Sequence, residues 1–242
     1  SSTSRGLGDV YKRQVSEGLW LDFLALLSTP TLNLDAFLAL CSQAVSVLPL
    51  SGRLWAVYLR AITRCQRPKS HMLALYEKAA HSRGVALLGG ASLLSLLQAR
   101  IDCERAYAAM ELAHAQKKSP DQVLVVTEMD HFMHVYELFL HSISAMQRLP
   151  ASEQDASVAL ERCAVDWIER AARALAQTAG LEASAGLYPL ADDVWTHALE
   201  QHPMHATAYL EAAQYFQRRD DDKRARQTYK AAVAKQGLDN KA

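Results

Sequence analysis

Apolar residues recur with a helical period along most of this chain, and proline separates the periodic stretches. Pro30, Pro49, Pro68, Pro120, Pro150, Pro189 and Pro203 all fall between such stretches, where a fixed φ and a missing N–H cost little. The intervening segments are rich in Ala, Leu, Glu, Gln and Arg, which are good helix formers. Alternation of β-branched residues is nearly absent; Val123–Val126 is the one short run. The pattern predicts an all-α chain with helices over 17–28, 33–47, 52–66, 69–82, 91–117, 121–148, 152–178, 188–201, 205–218 and 221–236. Ser51 and Ser152 stand at N-cap positions, and Asp220–Asp222 puts acid at a helix N-terminus. Gly84 and Gly237 are expected just past helix ends. Gly89-Gly90 marks a looser link after the fourth helix.

Large aromatic and small residues repeat along these helices. Trp20 and Trp55, Phe23 and Tyr58, Cys41 and Tyr76, and Ala44 and Ala79 share one spacing; Trp195 to Tyr229 and Ala198 to Ala232 share a slightly shorter one. Trp55 and Tyr58 lie on one helix face, and Ala79 is one turn past Tyr76. A bulky ring on the first helix of a pair needs a small residue on the second for the axes to approach to about 8–10 Å. One such hairpin cannot bury both its faces, so hairpins stack. The expected packing residues are Trp20, Phe23, Ala44, Trp55, Tyr58, Tyr76, Ala79, Trp195, Ala198, Tyr209, Tyr229 and Ala232.

At these positions the chain resembles the half-a-tetratricopeptide (HAT) repeat family. The first-helix pattern Trp-x-x-Tyr appears as Leu54–Leu59 and, with Phe in place of Tyr, as Leu19–Leu24. The second-helix pattern, aromatic-Glu-Arg-Ala-Leu followed by proline, has its counterparts in Tyr76–Ala80, Trp195–Pro203 and Tyr229–Val233. Gln43 and Thr196 replace the family's Glu-Arg preference, and Tyr209 stands where Trp is usual. The resemblance is greatest to the splicing-recycling factors known as squamous cell carcinoma antigen recognised by T cells. It implies an α-α superhelix, a TPR-like solenoid. It further implies a nuclear, non-enzymatic scaffold that binds protein partners in RNA-processing, pre-mRNA splicing or snRNP-assembly complexes, with any RNA contact local. RNA-recognition motifs after residue 242 and a homodimer through the C-terminal repeats are also implied. The expected organisation is an adaptor-like stretch at 1–14, HAT-type hairpins at 15–84, a divergent long-helix section at 85–187, HAT-type repeats at 188–236 and a tail at 237–242. Ser1–Gln14 resembles translated adaptor sequence and stands outside the fold argument, so the natural N-terminus is expected to be missing.

Composition narrows the chemistry. The formal net charge is zero, with 26 basic and 26 acidic side chains, so a phosphate-binding surface must be local. No apolar run reaches the roughly 18–20 residues that span a bilayer, and no membrane partner is expected. Cys41, Cys65, Cys103 and Cys163 form no CxxC pair and read as reduced thiols. Arg60, Arg64, Arg67 and Lys69, and separately Arg218, Arg219, Lys223, Arg224 and Arg226, form basic groups that can meet phosphate or an acidic partner; solvated helix ends are the ordinary explanation. No phosphate-binding Gly loop, GxSxG elbow or nucleophile–base pair is present, and neither an enzyme nor a cofactor is expected. Two alternatives stay open. One is a TPR-like adaptor for peptide or chaperone partners, for which Arg60 and Arg64 would be the clamp. The other is a metal-binding helical bundle using His134, Glu137 and His141, which share one helical face.

Overall fold

The protein is described here as a computed structural model, which covers residues 17–28, 33–81, 89–118, 125–178, 180 and 184–239. These residues are all helix, turn or connection, with no strand among them. The long helices are α1 (17–27), α2 (Leu34–Val47), α3 (Gly52–Arg64), α4 (Lys69–His81), α5 (Gly90–Lys118), α6 (Val125–Met146), α7 (Gln154–Thr178), α8 (Tyr188–Gln201), α9 (Ala206–Arg218) and α10 (Asp222–Asp239). The expected helices are present with shifted ends. Ser152 lies in a 3₁₀ turn, Ala151–Glu153, leading into α7. Helix α10 runs through Gly237 to Asp239 instead of stopping before it. Residues 1–14, Gly84 and the expected start of α6 lie outside the described residues. Contacts divide the chain into two units, Ser1–His131 and Phe132–Ala242.

In the first unit, α3 is the central helix and packs against α2, α4 and α5. The Ser51 hydroxyl accepts the Leu54 N–H and donates to Glu17 at the start of α1 (2.6 Å), so one side chain both caps α3 and ties it to α1. Leu54, Leu59 and Ile62 are buried on α3; Leu93, Leu96, Ala99 and Cys103 form the buried stripe of α5. The two helices come into close contact at Gly52. A Cβ built there would lie 2.1 Å from the Ser92 carbonyl oxygen, so only glycine fits.

In the second unit, α6 buries Phe132, Val135, Tyr136, Phe139, Ile143 and Met146, which fall at three- and four-residue steps on one face. Phe132 stacks on Trp167 of α7, with ring centroids 4.5 Å apart. Helix α7 packs on α8 and α9, and α9 on α8 and α10. Pro189 sits in the first turn of α8, where its missing N–H leaves no hydrogen bond unmade.

The two units contain a matching block. Helices α3 and α9 are both 13 residues long. Their N-caps, Ser51 and His205, have nearly the same backbone angles (φ −86°, ψ 98° and φ −89°, ψ 96°). Each cap side chain accepts from the N–H three residues on, Leu54 and Ala208. Each preceding helix ends alike: Leu48 N–H donates to Ala44 O, and His202 N–H to Ala198 O. Each helix stops at a left-handed non-glycine residue, Gln66 (φ 51°) and Asp220 (φ 59°). The next N–H then reaches back five residues, Arg67 to Ile62 O and Asp221 to Phe216 O, in a Schellman closure. The numbering offset is 154 at every one of these points (48 to 202, 51 to 205, 66 to 220). The caps and closures of the segment from the end of α2 to the start of α4 therefore recur from the end of α8 to the start of α10.

Candidate functional site

The packing residues divide by depth. Ala44, Trp55, Ala79, Trp195, Ala198 and Ala232 are buried. Tyr58, Tyr76, Tyr209, Tyr229 and Trp20 are half-buried, each with part of the ring covered. Phe23 departs from its expected place: it is 45% exposed and meets Trp20 edge-on on the same helix. The Tyr209 hydroxyl donates to Leu199 O (3.4 Å). Tyr229 donates to the Gln217 side chain (3.2 Å), and Tyr209 carries the Lys235 ammonium over its ring (4.4 Å). Trp55 donates its indole N–H to Pro49 O (2.8 Å), whereas the buried Trp195 indole N–H makes no hydrogen bond among the described residues.

Most of the basic side chains join one helix to another. Arg60 pairs with Asp102 of α5 (3.0 Å), and Arg67 with Asp35 of α2. Lys69 pairs with Glu104 (2.8 Å), a buried carboxylate that Arg100 also contacts (2.8 Å). In the second unit Arg218 meets Glu169 (3.3 Å), Arg224 meets Asp192 (2.7 Å) and Asp221, and Arg226 meets Asp222 (3.3 Å). Arg219 lies flat over Tyr188 at 3.5 Å. Arg64 borders a cavity of about 20 Å³ beside Leu27 and Phe37, and Lys223 is exposed on the outer side of α10. The pairs Asp35–Arg67 and Asp192–Arg224 both span 32 residues, one clamp in each unit. The acidic mates of Arg60, Arg218 and Arg224 lie on other helices, which the local sequence around the basic groups does not show.

No group of three or more His, Cys, Asp or Glu among the described residues is placed to hold a metal ion. His134, Glu137 and His141 do share a face, but that face is exposed, and the His141 ring bonds back to the Glu137 carbonyl (2.8 Å). The four cysteines are free thiols. Burial pushes Cys41 up to about 12 and also raises Cys103, so both stay protonated and unreactive at neutral pH. No helix among the described residues is long and apolar enough to cross a membrane.

What the surface does offer is apolar. Leu19, Phe23 and Leu26 lie at i, i+4 and i+7 on α1, all substantially exposed. Met204 and Val233 are exposed at the other end of the chain. No protein-family model matches this chain, and a search of curated proteins found no match.

Proposed function

We propose that this chain is a HAT-type repeat scaffold that holds protein partners in a nuclear RNA-processing assembly, in the manner of splicing or snRNP-assembly factors, without catalysis of its own. The observation that carries the reading is the recurring block: two separate stretches share caps, helix length and left-handed closure. Matching hairpins of this kind stack into superhelical arrays whose long surfaces bind partners. The assignment to RNA processing rests on the resemblance of Leu54–Leu59, Trp195–Pro203 and Tyr229–Val233 to HAT motifs. A homodimer formed through the last hairpin belongs to the same proposal, with exposed Met204 and Val233 as its apolar contribution.

The peptide-clamp alternative has less support. Of the two arginines it would use, Arg60 is already paired with Asp102. The metal-bundle alternative would need ligands from a second helix to join His134, Glu137 and His141. Affinity purification of the full-length protein from nuclear extract, read by mass spectrometry and small-RNA sequencing, separates the readings. Enrichment of small nuclear RNAs with their proteins is expected; recovery of cytosolic chaperones without RNA would overturn the proposal.

A further inference from the structure

Three buried polar side chains cluster in the second unit, each with one atom left unbonded. Glu161 of α7 is fully buried, and its Oε1 meets His202 Nε2 at 3.2 Å. Ser157 stands one turn before Glu161 on α7 and is 1% exposed; His202, the C-cap of α8, is 3% exposed. Glu161 Oε2, the Ser157 hydroxyl and His202 Nδ1 make no hydrogen bond among the described residues. Polar groups this deep are nearly always bonded, because the water lost on burial has to be replaced. Ser157 and His202 line one cavity of about 40 Å³, together with Gln147, Gln154, Gln201 and the buried Met146. That volume suits one or two waters and nothing much larger.

We infer that this cavity is an internal water site: one or two waters, held by Ser157 and His202, bridge α7 to the α8–α9 turn beside the end of α6. Water fits the donor set. It both donates and accepts, so it serves the Ser157 hydroxyl and either role of the His202 Nδ1. The contact of Nε2 with Glu161 fixes the imidazole, which leaves Nδ1 as the ring atom for the bridge. Gln147 is already engaged, since its side-chain amide bonds to His197 (3.1 Å). A cavity of this size stays dry when its walls are apolar, and these walls carry two buried, unbonded polar atoms. The repeat shows the same turn built without them. At the 154-residue offset, His202 corresponds to Leu48, which ends α2 with the same backbone hydrogen bond. The turn therefore forms with an apolar side chain, and the polar joint is an addition in the second unit.

Relaxation dispersion of solvent ¹⁷O counts the long-lived internal waters of the full chain and tests the site. Ser157→Val removes the hydroxyl and fills space, and His202→Leu copies Leu48. Each is expected to lower the dispersion amplitude by the equivalent of about one or two waters. Ser142→Ala is the control: that buried hydroxyl already donates to Leu138 O (2.7 Å), so its loss should leave the amplitude as it is. An amplitude unchanged by both Ser157→Val and His202→Leu, or lowered as much by Ser142→Ala, would overturn the inference. If the variants do not fold, the wild type decides by itself. Its water–protein NOE and ROE cross-peaks should show long-lived water at the carbon-bound protons of the His202 ring and at the Met146 methyl; spectra without them would overturn the site.

Discussion

Gly52→Ala is the change whose sign is least expected from local propensity. In most helices an alanine for glycine stabilises by up to about 1 kcal/mol. At Gly52 the new methyl would lie 2.1 Å from the Ser92 oxygen, 2.6 Å from its carbonyl carbon and 3.1 Å from its Cα. All three are backbone atoms of α5, so no rotamer change relieves the overlap. Helix α5 would have to move by about 1 Å, opening the seam that buries Leu54, Leu59 and Leu96. Overpacking of this kind costs about 1–3 kcal/mol, which exceeds the propensity gain. A net loss of about 1–2 kcal/mol is expected, a fall in melting temperature of roughly 2–8 °C by circular dichroism. Gly89→Ala, where nothing lies within 4 Å of the new Cβ, is the control. The repeat supplies a second control, because Ala206 occupies the position matching Gly52 on α9. An unchanged or raised melting temperature for Gly52→Ala would refute the close approach of α3 and α5.

Three further outcomes follow from the same geometry. Trp55→Phe loses the bond to Pro49 O and should cost about 0.5–1.5 kcal/mol more than Trp195→Phe in chemical denaturation. Equal costs would count against the unbonded Trp195 indole. In alkylation mapping near pH 8, Cys41, whose burial holds it at about 12, should react far more slowly than the half-buried Cys65; comparable rates would contradict its burial. Asp221 is held below the usual carboxylate range by hydrogen bonds from the Arg224 backbone and side chain. Its contribution to the start of α10 is therefore present above that range and lost as pH falls through the lowered value. Asp221→Asn should remove this acid-side loss of helicity, and an unchanged profile would show that the cap does not titrate.

Helix number and approximate ends were legible because proline and period act locally. The buried alanines and the Trp55 and Trp195 anchors were legible for a related reason: ring and small residue recur at fixed spacing. The matching block was harder to see. Its caps are a serine and a histidine, and its left-handed closures use glutamine and aspartate where glycine is the usual signal. Backbone geometry repeats there while residue type does not. Lys69, which pairs with Glu104, and His202, which meets Glu161, come from other elements, so local spacing does not mark the two carboxylates as buried. Phe23 shares its spacing with Tyr58, but period alone does not tell a covered helix face from an open one.

The central claim is that hairpins α3–α4 and α9–α10 are copies of one packing unit. Ala79 and Ala232, each three residues past a tyrosine (Tyr76 and Tyr229) and one residue short of the 154 offset of the caps and closures, are the small residues compared, at 2% and 0% exposure. Urea denaturation of Ala79→Trp and of Ala232→Trp, each followed by circular dichroism, tests the claim most directly. The account predicts that both lose a comparable amount, about 1–3 kcal/mol or more, because each indole is driven into an equally filled seam. Full stability in either variant, with the other strongly destabilised, would contradict it.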